Sequence, residues 1–341
     1  MKKINNIEIS NFKSIKHLKI DGCKKINVFV GMPNAGKSNI LEAIGLVGSL
    51  DYRNPDIKKF VRFNEPNELF FEGNYSKSSN VLVDNNYDLE IILFPDCIYL
   101  KYKNIKTNDS KSVKYIQSEQ SKKNTINFDE ILKNEHSIKK YIFKDLGERK
   151  KVITENNHSS SLIYPFGMNL PEVVSSFPEL RKRVNDLFKE NGLKLLIEKG
   201  TSQLKIFREY QDGTVFTLPY NMIAETLQRL IFFKAAIMSN KSSILLFEEP
   251  EAHCFEPYIL EFTNDVKNDE NNNQFFIVTH SDYIIKEFLR DDESKESTNI
   301  YLVNNVNGET QVKLLGKDKN EDVYEYGMNV FFNFQSLWET N

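Results

Sequence analysis

Three observations predict an α/β fold with a mostly parallel central sheet, an antiparallel β part at its N-terminus and a central insertion. Apolar, β-branched runs are followed by helical segments both in the first 48 residues and in the last third of the chain, the pattern of crossover units. The most apolar of these runs end at a glycine, a pair of acids and a histidine, residue types that serve chemistry better than packing. Between the two regions the texture turns polar, as an insertion would.

Taken in order, Ile7, Ile9 and Phe12 open an alternating strand, and Ile15, Leu18 and Ile20 a second. The run from Ile26 to Val30 suits a buried strand and stops at Gly31. From Asn39 to Val47 the apolar spacing becomes helical, so the period switches from 2 to 3.6 across one turn. Residues 87–103 carry strand-like material broken by Pro95, and the only helix expected in the polar stretch 104–160 runs from Phe128 to Phe143. Residues 171–192 read as helical, with Pro178 near an N-terminus and Gly192 at a C-cap. Short strands at 194–199, 204–210 and 214–218 form a meander turned at Gly200 and Asp212-Gly213. Thereafter come a helix (221–238), a strand (243–247), a helix (256–268), a strand (274–279), a helix (281–290) and a closing strand pair (299–304, 310–315).

With 341 residues, 40% hydrophobic and 27% charged, the chain is long enough for about two domains, or one with a large insertion. Wholesale disorder is excluded. No run approaches about 18 apolar residues and the N-terminus lacks an apolar signal core, so a cytoplasmic protein without a membrane span is expected. Cys23, Cys97 and Cys254 are far apart and odd in number, which argues against a disulfide framework or a thiolate zinc site. A net charge of −3 gives no whole-molecule attraction to nucleic acid. Residues 101–150 hold 13 Lys+Arg against 7 Asp+Glu, and this basic segment reads either as a solvated arm or as a nucleic-acid or partner contact.

Residues Gly31 to Ser38 match GxxxxGK[ST], between an apolar strand and a helix as the motif requires. Such a turn points backbone N–H groups at phosphate oxygens, which makes Gly31, Asn34, Ala35, Gly36, Lys37, Ser38 and Asn39 the candidates for binding a nucleoside triphosphate. Lys37 would reach the β- and γ-phosphates, and Ser38 would ligate Mg²⁺. Downstream, the buried run Ile244–Phe247 ends in Glu248 and Glu249. The first acid suits the Mg²⁺ water shell and the second suits orienting an attacking water. A further apolar strand ends in His280, which a neighbouring parallel strand would deliver to the γ-phosphate as a sensor.

Together these residues resemble an ABC-type ATPase head of the branch that contains SMC proteins, RecF and the OLD-family ATPases. The segment Ile7 to Ser14 is similar to that branch's first strand and turn, Gly31 to Ile44 to its Walker A motif and helix, Leu245 to His253 to its Walker B and D-loop, and Ile277 to Ser281 to its switch histidine. The likeness covers residues 1–48 and 215–290 well and the middle only by position. It implies a P-loop NTPase head with lobes at 1–75 and 193–341 around an insertion at 76–192, ATP and Mg²⁺ as cofactors, and association through ATP-bridged heads with itself or with a related head. By the same likeness Lys13 and Ser14 become candidates for adenine or α-phosphate contact, and Glu249, His280 and Lys37 form the catalytic set.

Departures from the branch's pattern matter. Glu248 stands where Asp is usual, one methylene longer. The signature stretch Asn221 to Leu230 has no glycine and places Glu225 and Thr226 at its helix start, so slow hydrolysis is expected. Arg62-Phe63-Asn64 marks the Q-loop by position alone. His253 reads either as a residue of a dimer seam or as structural, and the aromatic tail Phe331 to Trp338 either as a packed last helix or as a docking patch. No acidic cluster follows for a Toprim nuclease domain, so the effector is expected on another polypeptide, a nuclease or toxin, in an antiphage defence setting. The competing expectation is a RecF-like ATP-dependent DNA clamp acting in repair; a third is a scaffold that binds ATP without hydrolysing it.

Overall fold

The computed structural model describes residues 3–50, 56–105, 108, 110–116, 138–144, 161–198 and 203–340. In chain order these form β1 (Asn6–Phe12), β2 (Ile15–Asp21), β3 (Ile26–Val30), α1 (Lys37–Ser49), β4 (Ser79–Val83), β5 (Tyr87–Phe94), β6 (Cys97–Asn104), β7 (Ser110–Ile116) and β8 (Ile138–Tyr141). There follow α2 (Leu170–Ser176), α3 (Pro178–Asp186), β9 (Lys194–Glu198), β10 (Gln203–Glu209), β11 (Val215–Pro219), α4 (Glu225–Ser239), β12 (Ile244–Glu248), α5 (Glu256–Lys267) and β13 (Gln274–Val278). Last come α6 (Asp282–Phe288), α7 (Asp292–Ser297), β14 (Thr298–Val306), β15 (Glu309–Leu314), α8 (Lys317–Glu325) and α9 (Phe334–Thr340).

Two compact units result, one made of Met1–Lys140, Ser242–Glu249 and Gln274–Asn341, the other of Tyr141–Lys241 and Pro250–Asn273. The first unit holds two sheets. One is antiparallel with order β2-β1-β4-β5-β6-β7. The other has order β15-β14-β3-β13-β12-β8; β12, β13, β3 and β14 run parallel and β15 is antiparallel to β14. Strands β3 and β13 are buried at every position, as expected of a parallel sheet covered on both faces. Helix α1 touches β12 and β13 on one side and β1 and β4 on the other. Wedged between two sheets, it is buried almost all the way round, including Lys37 and Glu42. Aromatic layers fill the parallel sheet: Phe29 stacks on Tyr301 at 5.1 Å, and Phe247 on Phe275 at 6.4 Å.

The second unit contains the meander β11-β10-β9 and helices α2 to α5, with α4 packed on α2, α3 and α5. Its interior is pinned by Tyr141, whose hydroxyl donates to the Leu162 carbonyl at 2.6 Å and accepts from Asn240 at 2.8 Å.

Four expectations are amended. Strands β4 to β7, assigned above to an insertion over 76–192, extend the antiparallel sheet from β1 through β4 and belong to the first unit. Of the helix expected at 128–143, residues 128–137 lie outside the described residues and 138–141 form a strand, because Lys139 and Lys140 are buried at a sheet edge. The helix expected at 171–192 is interrupted at Phe177, since the residue before Pro178 is driven to extended backbone. Helix α4 begins at Glu225 and not at 221, after a single 3₁₀ turn at Tyr220–Met222. Among the described residues no helix is long and apolar enough to cross a membrane.

Since Phe247 is fully buried within this stack, Phe247→Ala is expected to cost about 3–5 kcal/mol in denaturant unfolding of the full chain. A loss below about 1 kcal/mol would contradict the packing described.

Candidate functional site

The parallel register sets the ends of three strands side by side. Glu248 pairs with Val278 and Val278 with Phe29, so Gly31, Glu249 and Thr279-His280 all emerge at the carboxyl edge of one sheet, where ligands of open α/β sheets bind. Two glycines make the first turn feasible. A Cβ on Gly31 would lie 2.0 Å from the Val303 carbonyl oxygen of the neighbouring strand. Gly36 has φ of 97°, and a Cβ there would meet the Thr310 hydroxyl at 2.0 Å. The N-terminus of α1, with no acidic residue in its first turn, keeps its positive end uncompensated. Lys37 donates to the Gly31 and Met32 carbonyls at 2.9 and 2.8 Å, which closes the loop on itself. Burial pushes its ammonium pKa down to about 8, against the pull of Glu249.

Beneath the loop sits a polar cluster. Thr310 donates to the Ala35 carbonyl at 3.1 Å and shares a 2.7 Å hydrogen bond with Ser14, while Asn39 donates to Ser14 at 2.6 Å. Ser14 and Asn39 thus support the turn from below, with Thr310 as a member that sequence reasoning missed. Asn34 is exposed with φ of 60°, and Ala35 is buried.

A chain of ion pairs fixes the acid side. Glu42, with no exposed side-chain surface, accepts from Lys13 at 2.6 Å and from Arg62 Nε at 2.7 Å. Arg62 also donates through Nη2 to Glu248 at 3.0 Å, and the buried Lys140 ammonium lies 3.4 Å from the other Glu248 oxygen. Lys13 further donates to the Arg62 carbonyl at 2.8 Å. Lys13, expected as a nucleotide contact, pairs with Glu42, whose buried carboxylate requires a cation. The segment guessed by position as a Q-loop carries no glutamine. Arg62 joins it to Glu248, while Asn64 binds Glu68 through its backbone. Burial alone would raise the Glu248 pKa, but Lys140, a hydrogen bond from Ser38 and Arg62 outweigh it and hold the carboxyl below its ordinary range.

Glu249 differs from Glu248 in every respect. Its backbone turns left-handed at φ 45°, with its N–H bonded to the Val278 carbonyl at 2.8 Å, and its side chain leaves the strand line half-exposed. His280 Nε2 lies 3.4 Å from the Glu249 carboxylate. Burial and Lys37 push the imidazole pKa down, and Glu249 opposes them. An imidazole beside a carboxylate can exchange a hydrogen bond with a small polar reactant.

In the second unit, Glu225 at the start of α4 accepts from Arg229 at 2.8 Å, and the Thr226 hydroxyl donates to the His253 carbonyl at 2.6 Å. Arg229 also lies over the Phe143 ring at 4.7 Å. Glu225 and Thr226 are therefore both engaged within the second unit.

The donor set fits the expected cofactors. Ser38 and Glu248 are hard oxygen donors held together, as Mg²⁺ beside phosphates requires, and no cluster of three or more His, Cys, Asp or Glu occurs among the described residues to form an all-protein cage. The glycine-lined turn has the shape of a phosphate cradle.

Removing Glu42's charge with Glu42→Gln leaves Lys13 and Arg62 facing a neutral amide, and a loss on the order of 3 kcal/mol in unfolding free energy is expected. The depressed Glu248 pKa stabilises the fold above its unfolded value near 4.5, and that stability is lost as pH falls through the folded value. Glu248→Gln should flatten this acid limb of the stability curve; an unchanged limb would contradict the pairing.

The chain is similar in sequence and in fold to several known proteins. Residues 1–165 match the AAA ATPase domain family. An "ATP/GTP phosphatase" of Helicobacter pylori is 23% identical over 88% of this chain and 92% of its own length. The DNA replication and repair protein RecF of Caldanaerobacter subterraneus subsp. tengcongensis is 23% identical over 66% of each chain. Among solved structures, an Smc head bound to the C-terminal winged-helix domain of ScpA superposes with a TM-score of 0.54 at 17% identity, covering 93% of this chain and 99% of that one. An Smc head with an extended coiled coil, bound to the C-terminal domain of ScpA from Pyrococcus furiosus, gives 0.51 at 15% identity, covering 96% and 99%. In fold the chain is similar to SMC heads, and in sequence to an AAA ATPase domain over residues 1–165 and to RecF over two thirds of its length, which together support an SMC- and RecF-like ATPase head.

Proposed function

We propose that this protein binds ATP with Mg²⁺ and hydrolyses it slowly, using nucleotide-dependent association of its heads as a switch that controls a separate effector in bacterial antiphage defence. The observation that carries the ATPase reading is the convergence of Lys37, Ser38, Glu248, Glu249 and His280 at one sheet edge. In it, Lys37 and the N–H groups of 34–39 hold phosphates, and Ser38 and Glu248 hold Mg²⁺. The metal supplies neutralisation of phosphate charge. Glu249 accepts a proton from, or orients, the attacking water, and His280 hydrogen-bonds the γ-phosphate side. Slow turnover is attributed to the start of α4, which presents Glu225, paired with Arg229, where other heads of this type present glycine. The half-exposed Glu249 and His280 suit a site completed by a second head. A cytoplasmic location accords with this reading.

A RecF-like DNA clamp is the competing reading, favoured by the 253-residue likeness to RecF. It predicts DNA affinity that falls steeply with salt and is abolished by neutralising the lysines of 101–150.

Glu249→Gln should trap an ATP-bound dimer, read as a doubling of mass in solution with ATP and Mg²⁺ while wild type returns to its starting mass. Turnover in the variant equal to wild type would overturn the role of Glu249. A mass indifferent to nucleotide would remove the switch.

A further inference from the structure

The C-terminal segment that follows α8 takes no part in the chemistry above, yet it reaches the switch histidine. Phe331 stacks on the His280 imidazole, with ring centroids 6.3 Å apart and planes 26° from parallel. The segment is fastened to α6 just before that contact. Val330 is fully buried, and its N–H donates to the Asp282 carboxylate at 3.0 Å on the first turn of α6, two residues beyond His280. Lys286 pairs with the same Asp282 at 2.6 Å and donates to the Gly327 carbonyl. The Asn329 side chain accepts from the N–H groups of Phe331 and Phe332, both at 3.0 Å, which fixes the backbone at the ring that makes the contact.

His280 stands beyond the last residue of β13, with two-fifths of its side chain exposed and its Nε2 3.4 Å from the Glu249 carboxylate. A half-exposed imidazole at a strand end can sample several rotamers, and each rotamer moves Nε2 by more than a productive hydrogen bond tolerates. A flat apolar face beside the ring removes part of that freedom without competing for its nitrogens.

We infer that Phe331 is a positioning residue for His280, and that the segment 326–333, clamped to α6 through Asp282 and Lys286, sets the orientation of the switch histidine. This deepens the ATPase reading and rests on the role proposed there for His280. Phe331 itself touches no reacting group and acts through the imidazole.

The test is a double-mutant cycle in the full chain, together with side-chain NMR of His280. Phe331→Ala should lower kcat for ATP roughly tenfold with KM within about twofold, and Phe331→Tyr should restore it. In a His280→Ala background the same substitution should change kcat by less than about twofold, because the residue it positions is gone. In ¹H–¹³C spectra, with the His280 signals assigned by their loss in His280→Ala, Phe331→Ala should shift the His280 ring resonances and leave those of His17 in place. Equal losses in both backgrounds, a change confined to KM, or unmoved His280 resonances would each overturn the inference. Wild-type protein without ATP turnover, but with the resonance shift intact, would overturn the hydrolysis reading and the catalytic consequence while leaving the contact established.

Discussion

Glu42 is a carboxylate with no solvent contact on a helix wedged between two sheets, and the charged groups around the phosphate turn are arranged by its neutralisation. Isolated burial of that charge would cost many kcal/mol, so two cations must reach it. Lys13 comes from the turn between β1 and β2, and Arg62 from the segment after α1. The same guanidinium continues to Glu248, whose second oxygen faces Lys140 on β8. One ion-pair chain thus ties the antiparallel sheet, the P-loop helix and the acid-bearing strand into a fixed frame. Three basic side chains thus meet two carboxylates beside the glycine turn.

Burial divides the acids by task. Glu42 and Glu248 are both paired with cations and build the frame. Glu249 and His280 are half-exposed and touch each other, so they remain available to a reactant. The left-handed backbone of Glu249 produces this division, since it turns the second of two adjacent acids away from the direction of the first. A non-glycine residue held there carries a conformational cost that the Val278 hydrogen bond helps to offset.

Much of this was legible in the sequence because its signals are local. The phosphate turn, the paired acids and the terminal histidine each close an apolar run, and the strand pairs β1–β2, β5–β6 and β14–β15 follow from alternation and turn residues. What escaped depends on partners far away in the chain. Glu42 reads as an ordinary polar position of a helix, Lys140 as a solvated lysine in a basic run, and Thr310 as one of many strand threonines. Their partners lie 20 to 296 residues distant, with no periodic trace. The expected helix over Phe128 to Phe143 failed at its end for the same reason. Two consecutive lysines suggest a solvated face until the sheet edge and Glu248 supply them with a buried environment.

The central claim is that the turn at Gly31 to Ser38, held by this frame, binds a nucleoside triphosphate. Equilibrium titration of the full chain with a fluorescent ATP analogue in the presence of Mg²⁺, comparing wild type with Lys37→Ala, tests it most directly. Saturable binding in the micromolar range that weakens by on the order of a hundredfold in the variant is the predicted result. Equal affinity in both proteins, or no saturable binding to wild type, would contradict the account.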